Sequence, residues 1–198
     1  MDDFTRGNDL PDDPEPDWDT PPSHDSCHLL IALFPNRDVQ RAIEEHRKNW
    51  LWPKSSYFPS SSRMHLTLHC IANQSNPVLK RLDEALSEVP VHPLALLLNS
   101  SRTWKNDIAV MQPAEHEGLR ALHRHISNAV SQTGIVTRPT RLTPHITIAR
   151  KTTGATYPRD LAPIPWTARN FLLVRSHTSH PVRHEVLASY GPKEDDGV

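Results

Sequence analysis

The stretch Met64-His65-Leu66-Thr67-Leu68-His69 decides the fold, because it is answered later by Pro144-His145-Ile146-Thr147-Ile148-Ala149. Each reads His, apolar, Thr, apolar. Side chains alternate faces along a β-strand, so His65 and Thr67 share one face while Leu66 and Leu68 take the other. His145 and Thr147 stand in the same way against Ile146 and Ile148. The phrases therefore predict two strands, about 64–72 and 145–150, each with an apolar side in a core and a His/Thr pair facing a cleft. Two imidazoles and two hydroxyls around one cleft suit acid–base chemistry on a phosphate. With 13 His and 14 Thr in 198 residues, a bare His-x-Thr arises roughly once by chance. Requiring the two apolar positions, at 36% apolar content, lowers this to about 0.1.

Outward from the phrases, Cys27–Phe34 is an apolar run that predicts a buried strand ended by Pro35. Asn36 can cap a helix with Val39, Ile43, His46 and Trp50 along one stripe. Pro53, Pro59 and five serines make 51–63 a loop into the first phrase. Asn76-Pro77 predicts a cap followed by proline in the first turn of a second helix. Leu94–Leu98 and Ile108–Met111 predict two strands joined through Lys105-Asn106-Asp107. Leu119, Leu122, Ile126 and Val130 mark a third helix, closed by Gly134. Phe171–Val174 and Glu185–Ser189 are the last two expected strands. Strand–helix–phrase occurs early and helix–phrase recurs late. This weak duplication predicts an α+β, two-lobed, pseudo-symmetric fold, with antiparallel sheets around a central cleft and helices outside.

Charge is unevenly distributed. Residues 1–26 carry nine acids against Arg6, a net −8, which leaves 21 bases and 14 acids, +7, on the remainder. That proline-rich acidic segment is expected to be disordered, with one two-lobed domain over 27–192 and a polar tail at 193–198. A basic body favours an anionic ligand such as phosphate or nucleic acid. No apolar run is long enough for a membrane span, and the acidic start is unlike a signal sequence. The expectation is a soluble cytoplasmic monomer with no membrane partner. Cys27 and Cys70 form no Cys-x-x-Cys pair and read as reduced core residues. Glycine-rich phosphate loops, a Ser/His/Asp arrangement and a His-Glu-x-x-His helix are absent from the sequence.

Two His-apolar-Thr-apolar strands in a chain of this size resemble the two-histidine phosphoesterase superfamily. Within it, the chain is most similar to bacterial RNA 2′,3′-cyclic phosphodiesterases, also called 2′-5′ RNA ligase-like proteins. The strand Leu29–Leu33 before Pro35, the segment His65–Leu68 and the segment Pro144–Arg150 carry the resemblance, which spans about residues 27–192. It implies hydrolysis of 2′,3′-cyclic phosphates on RNA ends or nucleotides to 2′-phosphates, with no metal and no cofactor. One of His65 and His145 would be the base that activates water and the other the acid. The resemblance favours His145 as base and His65 as acid, and the sequence leaves both orders open. Thr67 and Thr147 would hydrogen-bond the non-bridging phosphate oxygens. Arg150 matches an arginine implied to hold phosphate, although strict alternation puts it on the core face unless the strand bulges. Trp104, near the hairpin, would stack on a base. The pattern departs at His69-Cys70-Ile71-Ala72, and alternation puts His69 on the face of His65 as a substrate contact.

His177, His180 and His184 have a spacing compatible with a metal, broken by Pro181, and His123-Arg124-His125 reads as a solvated helix face. Two further functions fit the same strands: a phosphodiesterase of a cyclic nucleotide or oligonucleotide signal, and a non-catalytic RNA-binding module. The acidic segment 1–26 would lie over the basic cleft and compete with RNA at low salt.

Overall fold

The computed structural model describes residues 27–137, 142–158, 162–177 and 183–192. The acidic segment, the polar tail, Arg138, Pro139, Arg141 and His180 lie outside these. The elements run β1 (Cys27–Leu33), α1 (Arg37–Lys48), a 3₁₀ turn (Ser61–Arg63), β2 (Leu66–Ala72), α2 (Asn76–Ser87), β3 (Leu94–Trp104), β4 (Ile108–Pro113), α3 (Glu117–Gln132), β5 (Ile146–Arg150), β6 (Ile164–Ala168), β7 (Phe171–His177) and β8 (Arg183–Tyr190).

Local chemistry sets the boundaries. Asn36 caps α1, its Oδ1 accepting from the Val39 N–H at 3.0 Å. At α2 the cap is Ser75, so the helix starts one residue earlier than expected and Asn76 lies inside it. Gly134 follows α3 at φ 78°, a left-handed turn that costs glycine nothing. Asp107 turns the β3–β4 hairpin at φ 64°, a conformation that Asp tolerates better than most residues. β6 is an addition to the expected strands. Ile164, Trp166 and Ala168 alternate inward, but Pro163 and Pro165 disguise them as loop. Pro165 is tolerated because β6 is an edge strand, where a missing N–H can face solvent.

The strands form one antiparallel sheet in the order β6-β3-β4-β5-β2-β1-β7-β8. Two lobes are present, but as halves of one curled sheet rather than as separate sheets. They meet where β2 and β5 pair at Leu66 and Ile146. About this seam β1-α1-β2 corresponds to β4-α3-β5. The halves exchange helices: α1 packs on β6 of the other half, and α3 packs on β2. Leu66, Ile146, Met111 and Leu33 join the single core cluster under the helices, with Leu66 and Ile146 at 0% exposure. Burying each such side chain stabilises the fold by about 1.5–3 kcal/mol. The opposite face of the seam is left to polar groups.

Both phrases carry a β-bulge at the same place. Ile31 pairs with His69 and Ala32 with Thr67, so Leu68 is an extra residue in β2. Ala109 pairs with Ala149 and Val110 with Thr147, so Ile148 is extra in β5. In each case two consecutive residues, Leu68-His69 and Ile148-Ala149, are buried. The bulge reverses the alternation for everything after it.

Candidate active site

The Leu66–Ile146 pair fixes the cleft by geometry alone. Continuing the antiparallel register one residue each way sets His65 opposite Thr147 and Thr67 opposite His145. All four side chains lie opposite the buried Leu66 and Ile146, and each is half-buried. The two His occupy a diagonal of this square, about 7–8 Å apart at their Cβ atoms. That spacing lets two imidazoles bracket one tetrahedral group.

Each imidazole is oriented in the same way. His65 Nδ1 lies 2.7 Å from the Arg63 carbonyl oxygen, and His145 Nδ1 lies 2.8 Å from the Thr143 carbonyl oxygen. A carbonyl only accepts, so both Nδ1 atoms carry the proton and donate it. Nε2 of each ring is then the nitrogen that exchanges protons. Aromatic rings hold the imidazoles: Trp104 lies 4.4 Å from His145, and Phe34 lies 5.4 Å from His65, centroid to centroid. Trp104, which the resemblance would stack on a base, is seated on the His145 ring. Its hairpin is pinned to the loop after β5, because Asp107 accepts from the Thr153 N–H and from Thr153 Oγ1.

His184, on β8, is a cleft residue the sequence did not single out for this site. Its ring lies 5.2 Å from that of His65 and 6.1 Å from Phe34. His177 is on the other face of the sheet, bonded to Glu185 at 2.9 Å, so these two His do not converge on a metal. Among the described residues, no group of three or more His, Cys, Asp or Glu gathers as a metal site. Phe34 and His184 become legible as site residues only through strand order, since β1, β2 and β8 are distant in sequence, whereas Arg63 reaches the site from the turn directly before His65.

Electrostatics sets His65 apart. Its pKa is pushed down to about 4, chiefly by desolvation, with His184, His145 and Arg63 adding positive charge, against the raising effect of the Arg63 carbonyl. Desolvation and Arg63 also lower the pKa of His184. Every charged group acting on His65 is a cation when charged, which is an environment suited to an anion. Arg63 Nε, a donor, is buried without a hydrogen bond to the protein.

The pattern of the 2′-5′ RNA ligase superfamily matches residues 34–179. The chain belongs to that superfamily. A curated relative of this superfamily member is "RNA 2′,3′-cyclic phosphodiesterase" from Bacillus subtilis (strain 168). It is 23% identical over 137 residues, covering 64% of this chain and 75% of the relative. Among solved structures, E. coli LigT complexed with 3′-AMP superposes with a TM-score of 0.72 at 17% identity, over 86% of this chain and 100% of that one. The protein TT0787 of Thermus thermophilus superposes at 0.62 with 21% identity, over 83% and 97% of the two chains. At such identities the structural likeness establishes the fold.

Arg150 and His69 show what the twin bulges do to this superfamily member. Arg150 pairs with Ile108 after the bulge, so it leaves the core face and stands exposed on the cleft side. The same shift corrects the expectation for His69. It pairs with Ile31 on the helix side, 7% exposed, and its Nε2 lies 2.8 Å from Ser127 Oγ of α3. Its ring stacks on His123 at 5.3 Å. His69 therefore belongs to the β2–α3 interface, not to the cleft. Cys70 takes the position equivalent to Arg150, with its thiol pKa raised by burial to about 11.

Proposed function

We propose that this chain is a phosphodiesterase that opens 2′,3′-cyclic phosphates at RNA ends to 2′-phosphates by two-histidine acid–base catalysis. The observation that carries this reading is the matched pair of imidazoles, both held through Nδ1 by the carbonyl two residues earlier. The curated relative's name and the 3′-AMP complex of LigT support the same substrate class. His65 Nε2 takes a proton from water, and the water oxygen attacks phosphorus. The bond from phosphorus to O3′ breaks, and His145 Nε2 gives O3′ its proton. Thr67 and Thr147 hydroxyls donate to the non-bridging oxygens as charge grows on them. The buried Arg63 Nε–H and the exposed Arg150 are placed to favour that anion. Both proton transfers balance on imidazoles, so the step needs no metal.

The order of roles is the reverse of the one the resemblance favours, and the pKa of His65 is the reason. Desolvation, with His184, His145 and Arg63 adding positive charge, disfavours the cationic form of His65, which suits it to accept a proton rather than to give one. The acid limb of the kcat/KM profile, which reports the base in the free enzyme, is therefore expected near pH 4 to 5 rather than near 6.5. Activity that fell away by pH 6, with a limb that vanished in His145→Ala and survived in His65→Ala, would reverse the roles.

The deciding assay offers RNA ending in a 2′,3′-cyclic phosphate, 2′,3′-cyclic mononucleotides and cyclic dinucleotides, each in excess chelator. Turnover of the first two is expected. Turnover confined to cyclic dinucleotides would favour a signal phosphodiesterase, and binding without turnover a non-catalytic module. Thr67→Val or Thr147→Val is expected to lower kcat about tenfold, the worth of one hydrogen bond to a charged group. The loss is smaller than for the imidazoles because water can enter beside the phosphate. An effect on KM alone would show that the hydroxyls bind ground state and transition state equally.

A further inference from the structure

We propose that Tyr57 forms, with Arg63 and Arg150, a binding position for the RNA strand on the 5′ side of the terminal nucleotide. The inference rests on the cyclic-phosphate reading above and extends the site beyond one nucleotide. A 2′,3′-cyclic phosphate closes the 3′ end of a strand, so every further nucleotide leaves on the 5′ side.

Register places Tyr57 on the cleft face. Tyr57 and Arg150 form an isolated antiparallel bridge, N–H to carbonyl at 2.9 Å in both directions. Directly opposed residues in such a pair point to the same side. Arg150 pairs with Ile108, and Ile108 with Trp104. One row thus crosses the cleft face, from Trp104 through Ile108 and Arg150 to Tyr57. Adjacent members stand about 4.8 Å apart. The row lies two residues along β4 from Val110, the partner of Thr147, so about 7 Å away at about 3.3 Å per residue. A phosphate held at the His/Thr square leaves that distance to be spanned by the next part of a strand.

The chemistry at this end of the cleft suits a nucleotide. Tyr57 is 48% exposed, so a ring face is open to stacking. Arg63 Nη1 donates to Tyr57 Oη at 3.3 Å, tying the ring to a guanidinium that also acts on His65 and His184. Residues 51–63 and 150–158 contain Lys54, Arg63, Arg150 and Lys151 and no acid. A cationic groove with an aromatic ring is the combination that holds single strands.

The segment carrying Tyr57 is fixed before any ligand arrives. Trp52 stacks on Trp50 at 4.4 Å and 2°, and its Nε1–H donates to the Arg47 carbonyl. Ser56 Oγ donates to the Lys151 carbonyl, and Leu51 bridges Thr156. Little ordering remains to be paid on binding, which favours affinity.

The test compares a 2′,3′-cyclic mononucleotide with a short RNA ending in the same group. The unmodified chain is expected to show the higher kcat/KM on RNA. Tyr57→Ala is expected to lower kcat/KM on RNA about tenfold, at the lower part of the range for one stacked base, and on the mononucleotide less than about twofold. Tyr57→Phe should keep the RNA value. A disturbed Arg150 would lower both substrates alike, and equal losses would overturn the proposal. So would equal kcat/KM on the two substrates, or a change of oligomeric state in Tyr57→Ala, which would make the ring a contact between copies of the chain. Fluorescence anisotropy with a 3′-phosphate RNA separates this inference from the one beneath it. Tyr57-dependent binding without turnover would sink the phosphodiesterase reading alone. Binding indifferent to Tyr57→Ala would sink the strand position alone.

Discussion

Replacing His65 or His145 with alanine is expected to lower the turnover of cyclic-phosphate RNA by about 10²–10⁴-fold, the range for loss of a positioned acid or base. The two rings sit on one diagonal of the His/Thr square and, in the proposed reaction, perform complementary transfers. The double replacement should therefore cost little more than either single one, because groups acting as a unit are not additive. Stability should move in the opposite sense or hardly at all. His65 is a desolvated imidazole whose cationic form the fold disfavours, so removing it relieves a cost at low pH. Chemical denaturation at pH 7 beside the activity assay separates the two effects. A loss of less than about threefold in either single variant would remove the imidazole from the reaction.

Acidification is expected to destabilise the protein between pH 6.5 and 4. His69 is 7% exposed, and burial pushes its pKa down to about 4, with nearby His123 lowering it further. In the unfolded chain it titrates near 6.5. The folded state therefore binds fewer protons across this window, and stability is full above about pH 6.5 and falls as pH drops toward 4. His69 alone accounts for about 2 kcal/mol at pH 5 and about 3 kcal/mol at pH 4. His46 adds to the same trend. Its Nε2 accepts from the Trp50 indole at 2.9 Å and lies 3.0 Å from Ser101 Oγ, an arrangement that protonation at Nε2 would break. Urea titrations at pH 7, 5 and 4 measure the slope, and His69→Gln should flatten it. Equal stability at pH 7 and 4.5 would contradict this account.

The two failures of strand alternation have one cause. Strict alternation puts His69 in the cleft and leaves Arg150, matched to a phosphate-holding arginine, on the core face unless the strand bulges; the bulges exchange the two faces. Period-two reasoning holds from His65 to Leu68 and from His145 to Ile148, where every side chain points as the phrase predicts. An extra residue then enters each strand, marked only by two apolar-compatible positions in succession, Leu68-His69 and Ile148-Ala149. Neither glycine nor proline announces it. The apolar strands and capped helices were legible because hydrophobic period and capping chemistry are local. β6 was not, because Pro163 and Pro165 are turn formers everywhere except at a sheet edge. His184 and Phe34 join the site through strand neighbours far apart in the chain, and a single sequence carries no trace of that.

The exchange of helices across the Leu66–Ile146 seam has a consequence for how the chain can come apart. The helices tie the halves together: α1 leaves the half that made it to cover β6, α3 returns to cover β2, and α2 packs on both α3 and β8. A cut between the repeats would leave β1 and β2 as a two-stranded ribbon, parted from both of their outer neighbours, β5 and β7. The two strands that carry the His/Thr pairs are thus tied into one cooperative folding unit. The distance between the imidazoles is set by a shared core rather than by the docking of two self-sufficient lobes.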